Sequence, residues 1–317
     1  MIIINPNVAV DLLSICGVPV QSNVPLTAVS SWRVGGRAKI LVKPQTEEEV
    51  IALRKYISKH QLPSLIIGNT TNLLFADCNI DAIFMQIGSG FSQVKLSGST
   101  ILAKAGVWVP KLARLALQAG LTGIEHTCGI PGTLGGLVVM NGGSQRKGIG
   151  DSIVYVKTID ANGNTKIYSR EECRFDYRSS IFQKLDEVIV EVKLQLESVA
   201  NKKIMHNEML AILRSRSAKF PRKIPNCGSV FVSNPAIYKQ SGAPGKVIEE
   251  CGLKGVIKGG AQISKDHANF IVNTGTATAS DILYLIHVVR NEVYKKTGCI
   301  MKVEPKYIDR FGNIQEI

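Results

Sequence analysis

Residues 129–143, GIPGTLGGLVVMNGG, form the most distinctive stretch of the sequence. It holds six glycines in fifteen residues, and its only polar side chains are Thr133 and Asn141. Backbone N–H groups in such a run can approach a ligand closely, because few side chains stand in the way. The run is neither a P-loop nor a G-x-G-x-x-G dinucleotide fingerprint. From spacing alone, a ligand-binding loop and a tight buried turn are equally good interpretations.

Helices are predicted on both sides of a second small, polar loop that precedes this run. The first spans 46–63, opened by Thr46 and stopped by Pro63, and the second spans 109–120. Between them, a short buried strand leads into GNTTNLL, residues 68–74. Backbone amides with Asn and Thr side chains suit a pyrophosphate, although many loops after a strand have this composition.

The chain becomes rich in strands after the glycine run. Residues 152–169 are predicted to form a hairpin around Asn162-Gly163. Residues 187–197 alternate, which predicts a strand with one buried face formed by Val188, Val190, Val192, Leu194 and Leu196.

Helices return in the last third of the chain. They are predicted over the basic stretch 201–216, over 244–251 and over 280–296, the last opened by Ser280 and closed by Gly298. We therefore expect an α+β region to about residue 200 and a smaller α/β region over 201–302, with the last fifteen residues returning to the first region.

Composition and charge limit the classes of function. With 317 residues, 45% hydrophobic and 20% charged, the chain predicts a globular protein of two domains or of one domain with an insertion. The first basic residue is Arg33 and no apolar run reaches about 20 residues, so we expect a cytoplasmic protein without a signal peptide or membrane span. Seven scattered cysteines without a C-x-x-C pair predict reduced thiols and no metal site.

The net charge of +13 favours anionic partners. Its Lys and Arg residues are spread from Arg33 onward, and the densest basic patch, 201–223, contains no RNA-binding signature, which argues against nucleic acid. Small phosphorylated ligands are the alternative anionic partners. The simplest explanation of the positive charge is solubility alone.

Four side chains are candidates for chemistry, each with an ordinary structural alternative. Arg178 lies among aromatic and apolar neighbours in FDYRSSIF, where a structural ion pair is the usual role. Cys227 and Ser229 flank Gly228 in PNCGSVFVSNP, and a lone serine is usually a turn or cap residue. No G-x-S-x-G elbow surrounds Ser229, so a hydrolase nucleophile is not predicted. Glu304, in MKVEPKYI, has the alternative of a carboxylate at a strand edge.

Taken in order, these segments resemble the UDP-N-acetylenolpyruvoylglucosamine reductases, flavoenzymes of bacterial cell-wall precursor synthesis. The resemblance is carried by GNTTNLL, GIPGTLGG with MNGG, YRSSIF, GSVF, CGLKGVIKGGAQISKDHANFIVN and the C-terminal glutamate, and it runs from about Ser30 to Ile308. About fifty residues separate Arg178 from Ser229, which is similar to the shorter subclass that lacks an extra tyrosine-bearing loop.

The resemblance implies an α+β fold: an FAD-binding module of the vanillyl-alcohol-oxidase (PCMH) type in two subdomains, plus a smaller α/β substrate domain. The boundaries it implies are 1–88 joined by 303–317 for the first subdomain, 89–200 for the second and 201–302 for the substrate domain. It also implies a monomer.

The resemblance also implies non-covalent FAD as cofactor, NADPH as co-substrate and a UDP-sugar as substrate. It implies no metal. The implied FAD-binding residues are Gly68, Asn69, Thr70, Thr71, Asn72, Leu73, Gly129, Ile130, Pro131, Gly132, Thr133, Gly135, Gly136, Gly142 and Lys306. The implied substrate-binding residues are Tyr177, Lys219, Asn234, Lys254 and His267, with Asn234 matched only if one residue is inserted. These polyanions would account for the positive charge.

In the implied reaction, NADPH reduces the flavin, which passes a hydride to C3 of the enolpyruvyl group while C2 is protonated. The match assigns Arg178 to the substrate carboxylate, Ser229 to the proton donor and Glu304 to the developing negative charge, where a raised pKa is expected. Cys227 is interpreted as a packing residue because Ser229 directly precedes the VF of the motif. Anchoring the alignment on Gly298 and on Tyr307-Ile308 gives Glu304, and not Lys306, the catalytic place.

Three alternatives remain open at this stage. A flavin oxidase would attach FAD covalently, with His126 and Cys128 near the glycine-rich run as attachment residues. A paralogue would reduce a related nucleotide sugar. A basic binding protein would have no catalysis at all.

Overall fold

The computed structural model describes residues 4–5, 7–17, 20–233 and 242–317, without the side chain of Cys16. The chain divides into two compact units. The first comprises Met1–Ser22, Ile40–Asn69 and Ala82–Arg216, and the second comprises Asn23–Lys39, Thr70–Asp81 and Ser217–Ile317. Each unit therefore contains separate stretches of chain, whereas the three-part division with its boundaries stays a prediction.

Seven α-helices occur in the described residues: α1 (Asn7–Cys16), α2 (Glu47–Lys59), α3 (Val109–Ala119), α4 (Leu134–Val139), α5 (Lys202–Lys219), α6 (Pro244–Glu250) and α7 (Ala279–Thr297). The strands of these residues are β1 (Val20–Pro25), β2 (Arg37–Val42), β3 (Ser64–Ile67), β4 (Leu73–Phe75), β5 (Ile80–Gln86), β6 (Val94–Ser97), β7 (Thr100–Lys104), β8 (Leu121–Thr122), β9 (Ile153–Ile159), β10 (Thr165–Ser169), β11 (Val188–Gln195), β12 (Glu197–Ser198), β13 (Ile257–Lys258), β14 (Ala261–Ile263), β15 (Ile271–Asn273), β16 (Lys306–Ile308) and β17 (Ile314–Gln315).

An antiparallel sheet with the order β10-β9-β11-β7-β6 dominates the first unit. The predicted hairpin is confirmed as β9 and β10, whose turn has Gly163 at φ +78°. The predicted alternation in β11 is confirmed, since Val188, Val190 and Val192 are fully buried. A register shift between Ile189 and Glu191 buries Ile189 as well, which a strict period of two does not predict.

The helices before this sheet follow local signals. The Thr46 hydroxyl caps α2 by accepting a hydrogen bond from the Glu49 N–H at 3.2 Å. The prediction that Pro63 stops the helix is wrong, because α2 ends at Lys59 and a turn intervenes before β3. The prediction for α3 is confirmed, with Gly120 left-handed at its C-terminus.

Another sheet has four strands in the order β1-β2-β5-β3, and its strands β3 and β5 run parallel. Its strand β3 ends at Ile67, so the loop GNTTNLL begins where the strand stops. The apolar side chains of the first unit, including Val50 and Leu53 of α2, form one core with those of β9 and β11. This core fixes the starting points of the loops that follow its strands.

The second unit has its own core. The small sheet β13-β14-β15 packs with α7, and Trp32, Leu74 and Ile286 are fully buried there. Another sheet, β17-β16-β4, pairs strand β16 in parallel with β4. This pairing brings the C-terminal segment beside the loop 68–74.

Helix α7 begins at Ala279, so the prediction that Ser280 opens it is wrong. Thr278 is the N-cap and forms a capping box with Asp281. Two Asp77 oxygens accept hydrogen bonds from the Ala279 and Ser280 N–H groups, at 2.6 and 3.0 Å. In the part of the chain described above, no helix is both long and apolar enough to cross a membrane.

Candidate active site

The glycine run 129–143 turns into α4 and packs tightly. Gly135 donates its N–H to the Ala105 carbonyl at 2.8 Å, and a Cβ at Gly135 would lie 3.0 Å from that of Ala105. A Cβ at Gly142 would lie 2.5 Å from the Leu137 Cδ1 atom. These two glycines are therefore closely packed, which favours the buried-turn interpretation for them.

The two predicted cofactor loops adjoin in the first unit. A Cβ at Gly68 would lie 2.3 Å from the Thr133 Oγ1 atom, and the Asn69 amide donates to the Pro131 carbonyl at 3.4 Å. Thr133 also caps α4. Backbone and short side chains line this junction, the composition that main-chain binding of an anionic group requires. These residues fit the diphosphate portion of FAD.

Thr70 continues the first loop with an unusual backbone. Its φ is +54°, a strained value for a β-branched residue, and its side chain is buried. The Thr70 hydroxyl donates to the Val29 carbonyl at 2.8 Å and accepts from the Ser31 N–H at 3.0 Å. The Thr70 side chain therefore holds the segment 29–31 in place. The sequence analysis did not single out this segment, although the polar pair Ser30-Ser31 could have indicated it.

Asn72 connects the same loop to the C-terminal segment. Its carbonyl accepts the Lys306 N–H at 3.0 Å, and its side-chain amide donates to the Glu304 carbonyl at 3.2 Å. The Lys306 ammonium pairs with Glu316. A residue predicted to bind the cofactor therefore lies next to one predicted to be catalytic.

Ser229 and Glu304 lie on neighbouring stretches of the second unit. The Glu304 N–H donates to the Val230 carbonyl at 2.8 Å, one residue after Ser229. Ser229 is half-buried and follows Gly228, whose φ of +87° suits glycine. The structure therefore brings these two predicted catalytic residues close in space.

Asn269 braces the Ser229 stretch, and sequence analysis did not identify it. It is buried, and its side chain accepts the Phe231 N–H and donates to the Phe231 carbonyl, both at 2.9 Å. Its own carbonyl accepts the Val230 N–H at 2.8 Å. The amide in the apolar stretch HANFIVN could have indicated this role, because a buried polar group needs hydrogen-bond partners.

Cys227 is buried, whereas Ser229 is partly accessible. Burial, and then the nearby Glu304 carboxylate, raise the pKa of the Cys227 thiol well above its usual value. The thiol is therefore neutral near pH 7. This environment supports the interpretation of Cys227 as a packing residue.

Arg178 lies in the first unit at the tip of a tight turn closed by reciprocal backbone hydrogen bonds between Asp176 and Ser179. Its φ is +55°. The guanidinium Nη1 and Nη2 atoms both donate to the Gly143 carbonyl at 3.3 Å, and the Cζ atom lies 5.6 Å from the centre of the exposed Tyr177 ring. The guanidinium is thus held at the end of the glycine run.

Three further predicted substrate residues, Lys219, Lys254 and His267, lie near an aromatic group of the second unit. The His267 ring is 5.4 Å from that of Phe220, which follows Lys219. Burial lowers the pKa of His267, and the positive charges of Lys254 and Lys219 lower it further, so the imidazole is neutral near pH 7. Asn234 lies outside the described residues.

The attachment residues of the covalent alternative are both buried. His126 and Cys128 are each 3% exposed, and Cys128 packs with Ala113, Met209 and Ile212. Burial raises the pKa of the Cys128 thiol. These surroundings do not favour a covalent bond to a flavin.

Comparison with known proteins defines the class. A model of the FAD-binding domain family matches residues 38–168, and a model of the C-terminal domain of UDP-N-acetylenolpyruvoylglucosamine reductase matches residues 220–308. The protein is an FAD-dependent oxidoreductase with a PCMH-type FAD-binding domain, which confirms the predicted cofactor and fold class.

The relatives define the family. The chain is 43% identical to UDP-N-acetylenolpyruvoylglucosamine reductase 1 of Corynebacterium glutamicum over 93% of this chain and 88% of that protein. It is 37% identical to the reductase of Carboxydothermus hydrogenoformans over 90% and 93%. The crystal structure of the Thermus caldophilus reductase superposes with a TM-score of 0.77 at 30% identity, over 91% of this chain and 98% of that one. The chain belongs to the UDP-N-acetylenolpyruvoylglucosamine reductase family.

Proposed function

We propose that this protein reduces the enolpyruvyl group of UDP-N-acetylglucosamine enolpyruvate with NADPH, giving UDP-N-acetylmuramate for cell-wall precursor synthesis in the cytoplasm. The observation that carries the proposal is the hydrogen bond from the Glu304 N–H to the Val230 carbonyl. It holds the main chain of Glu304 next to the residue that follows Ser229, the proposed proton donor, within the region that matches the reductase C-terminal domain.

FAD would be held by the junction of Gly68 and Asn69 with Pro131 and Thr133, where the main chain can approach a diphosphate. When bound, FAD accepts a hydride from NADPH and delivers it to C3 of the enolpyruvyl group. The chain itself must then supply one proton and stabilise one negative charge.

Arg178 would bind the substrate carboxylate, toward which negative charge develops as C3 receives the hydride. Its fixed position supports this role, because the Gly143 carbonyl holds both terminal nitrogens. Ser229 would donate its hydroxyl proton to C2, which completes the reduction of the double bond. Glu304 would share a proton with the developing negative charge.

The nucleotide portion of the substrate would bind the cationic side chains and the neutral imidazole of the second unit. Lys219 and Lys254 would contact the diphosphate, because ammonium groups bind phosphate oxygens through charge-assisted hydrogen bonds. His267 and Tyr177 would provide polar contacts. Asn234 keeps the same proposed role.

The test separates the two halves of the reaction. The purified protein should be yellow, and anaerobic NADPH should bleach the flavin. Enolpyruvyl-UDP-N-acetylglucosamine should then restore the colour and yield UDP-N-acetylmuramate. A related nucleotide sugar that restores the colour faster would refute the substrate assignment.

Acid precipitation provides an independent check. All flavin should enter the supernatant, because His126 and Cys128 are buried and the fold offers binding by the main chain instead. Flavin retained in the pellet would favour the covalent oxidase, and a colourless protein that does not bind added FAD would favour a non-catalytic binding protein.

A further inference from the structure

A strained, basic turn follows the glycine run in the first unit. Residues 144–147 read SQRK, and the Lys147 N–H donates to the Ser144 carbonyl at 3.0 Å. Gln145 and Arg146 both have positive φ, at +56° and +63°. Such a turn normally contains Asn and Gly, because in the left-handed region the Cβ atom of other residues comes too close to a carbonyl oxygen. The sequence keeps two long side chains in this unfavourable conformation.

The base of the turn is firmly attached. The Ser144 hydroxyl donates to the His126 carbonyl at 2.6 Å, and the Gly150 N–H donates to the Asn141 side chain at 2.9 Å. A Cβ at Gly143 would lie 1.8 Å from the Lys147 carbonyl oxygen, so only glycine allows this approach. Gln145, Arg146 and Lys147 are nevertheless exposed. The fold therefore presents the tip of the turn to solvent on a fixed base.

The turn is joined directly to Arg178. The Gly143 carbonyl, which accepts both terminal nitrogens of Arg178, immediately precedes Ser144. Two residues separate Gly143 from Arg146, so their Cα atoms are at most about 11 Å apart. The cations at the tip are thus within the length of a nucleotide from the proposed carboxylate-binding group.

Arg146 and Lys147 are available for a ligand. Neither forms an ion pair with any residue that the structure describes, and the stretch 143–148 contains two basic residues and no acidic one. The nearest carboxylate along the chain, Asp151, accepts a hydrogen bond from the Gly148 N–H and lies 3.9 Å from Arg170. The tip therefore carries two positive charges on a rigid support.

We propose that Arg146 and Lys147 bind a phosphate group of the nucleotide that reacts at Arg178. This inference rests on the proposed function, which supplies two such groups: the 2′-phosphate of NADPH and the diphosphate of the UDP-sugar. Guanidinium and ammonium groups recognise both through charge-assisted hydrogen bonds. The strain in the turn is retained because it aims the two cations.

The test uses the flavin-loaded double variant Arg146→Asn with Lys147→Gln. Asparagine tolerates a positive φ, so the charge is removed while the turn is preserved. If the reductant supplies the phosphate, kcat/KM for NADPH falls about 10-fold or more, while kcat/KM for NADH changes less than about 2-fold. If the UDP-sugar supplies it, the KM for that substrate rises by a similar factor and the preference for NADPH over NADH is unchanged.

Two controls separate charge recognition from structure. The variant Lys43→Gln with Lys95→Gln removes two exposed charges from the same unit. It should change neither kcat/KM for NADPH nor the KM for the UDP-sugar by more than about 2-fold. The charge-preserving variant Arg146→Lys with Lys147→Arg should retain most of the lost function. If the double variant loses its flavin, the single substitution Lys147→Gln replaces it, since Lys147 is outside the strained pair.

The dependence of kcat/KM on ionic strength provides a further test. A purely structural role of Arg146 and Lys147 would leave this dependence unchanged. The affected kcat/KM should depend less on ionic strength in the double variant than in the parent protein. One outcome is that the double variant and the control variant have the same kcat/KM for NADPH and the same KM for the UDP-sugar, while NADPH still bleaches the flavin. In that case the phosphate site is wrong and the proposed function stands. If the parent flavin is reduced by neither nicotinamide, the proposed function fails and the phosphate site fails with it.

Discussion

Cys227 and Ser229 are two residues apart, yet the fold gives their side chains different surroundings. The thiol is buried against the core of the second unit, and burial together with the Glu304 carboxylate raises its pKa. The hydroxyl of Ser229 is partly accessible beside Gly228. A neutral, enclosed thiol is a poor proton donor to a substrate, so the hydroxyl is the better candidate.

We expect Ser229→Ala to slow substrate reduction by about 10²–10⁴-fold, the usual loss when a positioned general acid is removed. Bleaching of the flavin by NADPH should remain near normal, because that step needs no proton at C2. Stopped-flow absorbance measures the two steps separately. Cys227→Ala is the matched control: it should cost about 1 kcal/mol of unfolding free energy and leave turnover largely intact. The reverse pattern would assign the chemistry to sulfur.

We expect Glu304→Gln to slow substrate reduction by about 10²-fold or more and to spare the reduction of flavin by NADPH. The contacts of Glu304 with Val230 and Asn72 are made by its main chain, so the substitution leaves them in place. Single-turnover kinetics and a thermal melt check this. Glu292→Gln, which neutralises a half-buried carboxylate of α7, is the control. Wild-type rates in Glu304→Gln would show that Glu304 is not catalytic.

At the scale of elements, ion pairs connect a helix to a sheet. Glu47 in the first turn of α2 accepts hydrogen bonds from Lys104 of β7 and Lys157 of β9, both at 2.5 Å. Burial alone would raise the pKa of Glu47, but the two ammonium groups together outweigh it and lower that pKa. The carboxylate therefore contributes to stability in its charged form.

We expect Glu47→Gln to lower the free energy of unfolding by about 1–3 kcal/mol at pH 7, because two partly buried ammonium groups lose a charged acceptor. The folded pKa lies below the unfolded value of about 4.5, so this contribution is present above pH 4.5 and is lost as the pH falls through the folded pKa. Urea titrations at pH 7 and pH 4 measure both effects. Glu48→Gln changes the same charge at an exposed neighbour and should cost far less; equal losses would refute the network.

At the scale of the whole molecule, buried thiols link stability to pH. Burial raises the pKa of Cys128 and Cys227 and raises that of Cys173 to about 12, and partial burial raises that of Cys251. The unfolded chain releases these protons near pH 9, whereas the folded protein retains them. The stability they contribute is thus fully present below about pH 9 and is lost as the pH rises toward 12.

We therefore expect the unfolding free energy to fall from pH 9 to pH 11, by up to about 1.4 kcal/mol per pH unit for each retained proton. Denaturant titrations under reducing conditions measure the slope. Cys173→Ala should reduce the slope by about one proton. Cys78→Ala, which replaces an exposed thiol, is the control for the removal of a cysteine. A slope unaffected by Cys173→Ala would show that this thiol ionises alike in both states.

The sequence by itself determined the elements whose signals are local. Helix α3 follows from Pro110 in its first turn and Gly120 after its end, and β11 follows from its alternating valines. Ordered short motifs over most of the chain also determined the family, which the relatives confirm. These signals are readable because a cap or a period involves residues within a few positions of one another.

Only the tertiary structure decided which distant residues meet. Gly68 lies against Thr133, the Thr70 hydroxyl holds Val29 and Ser31, and Asn269 braces Phe231. Asp77 completes the cap of α7, about 200 residues later, so the start of that helix was misplaced at Ser280. Such contacts depend on how loops close and cores pack, and no local pattern encodes them. For the same reason, the sequence supplies the residue types for phosphate and proton chemistry, and packing decides which of them adjoin.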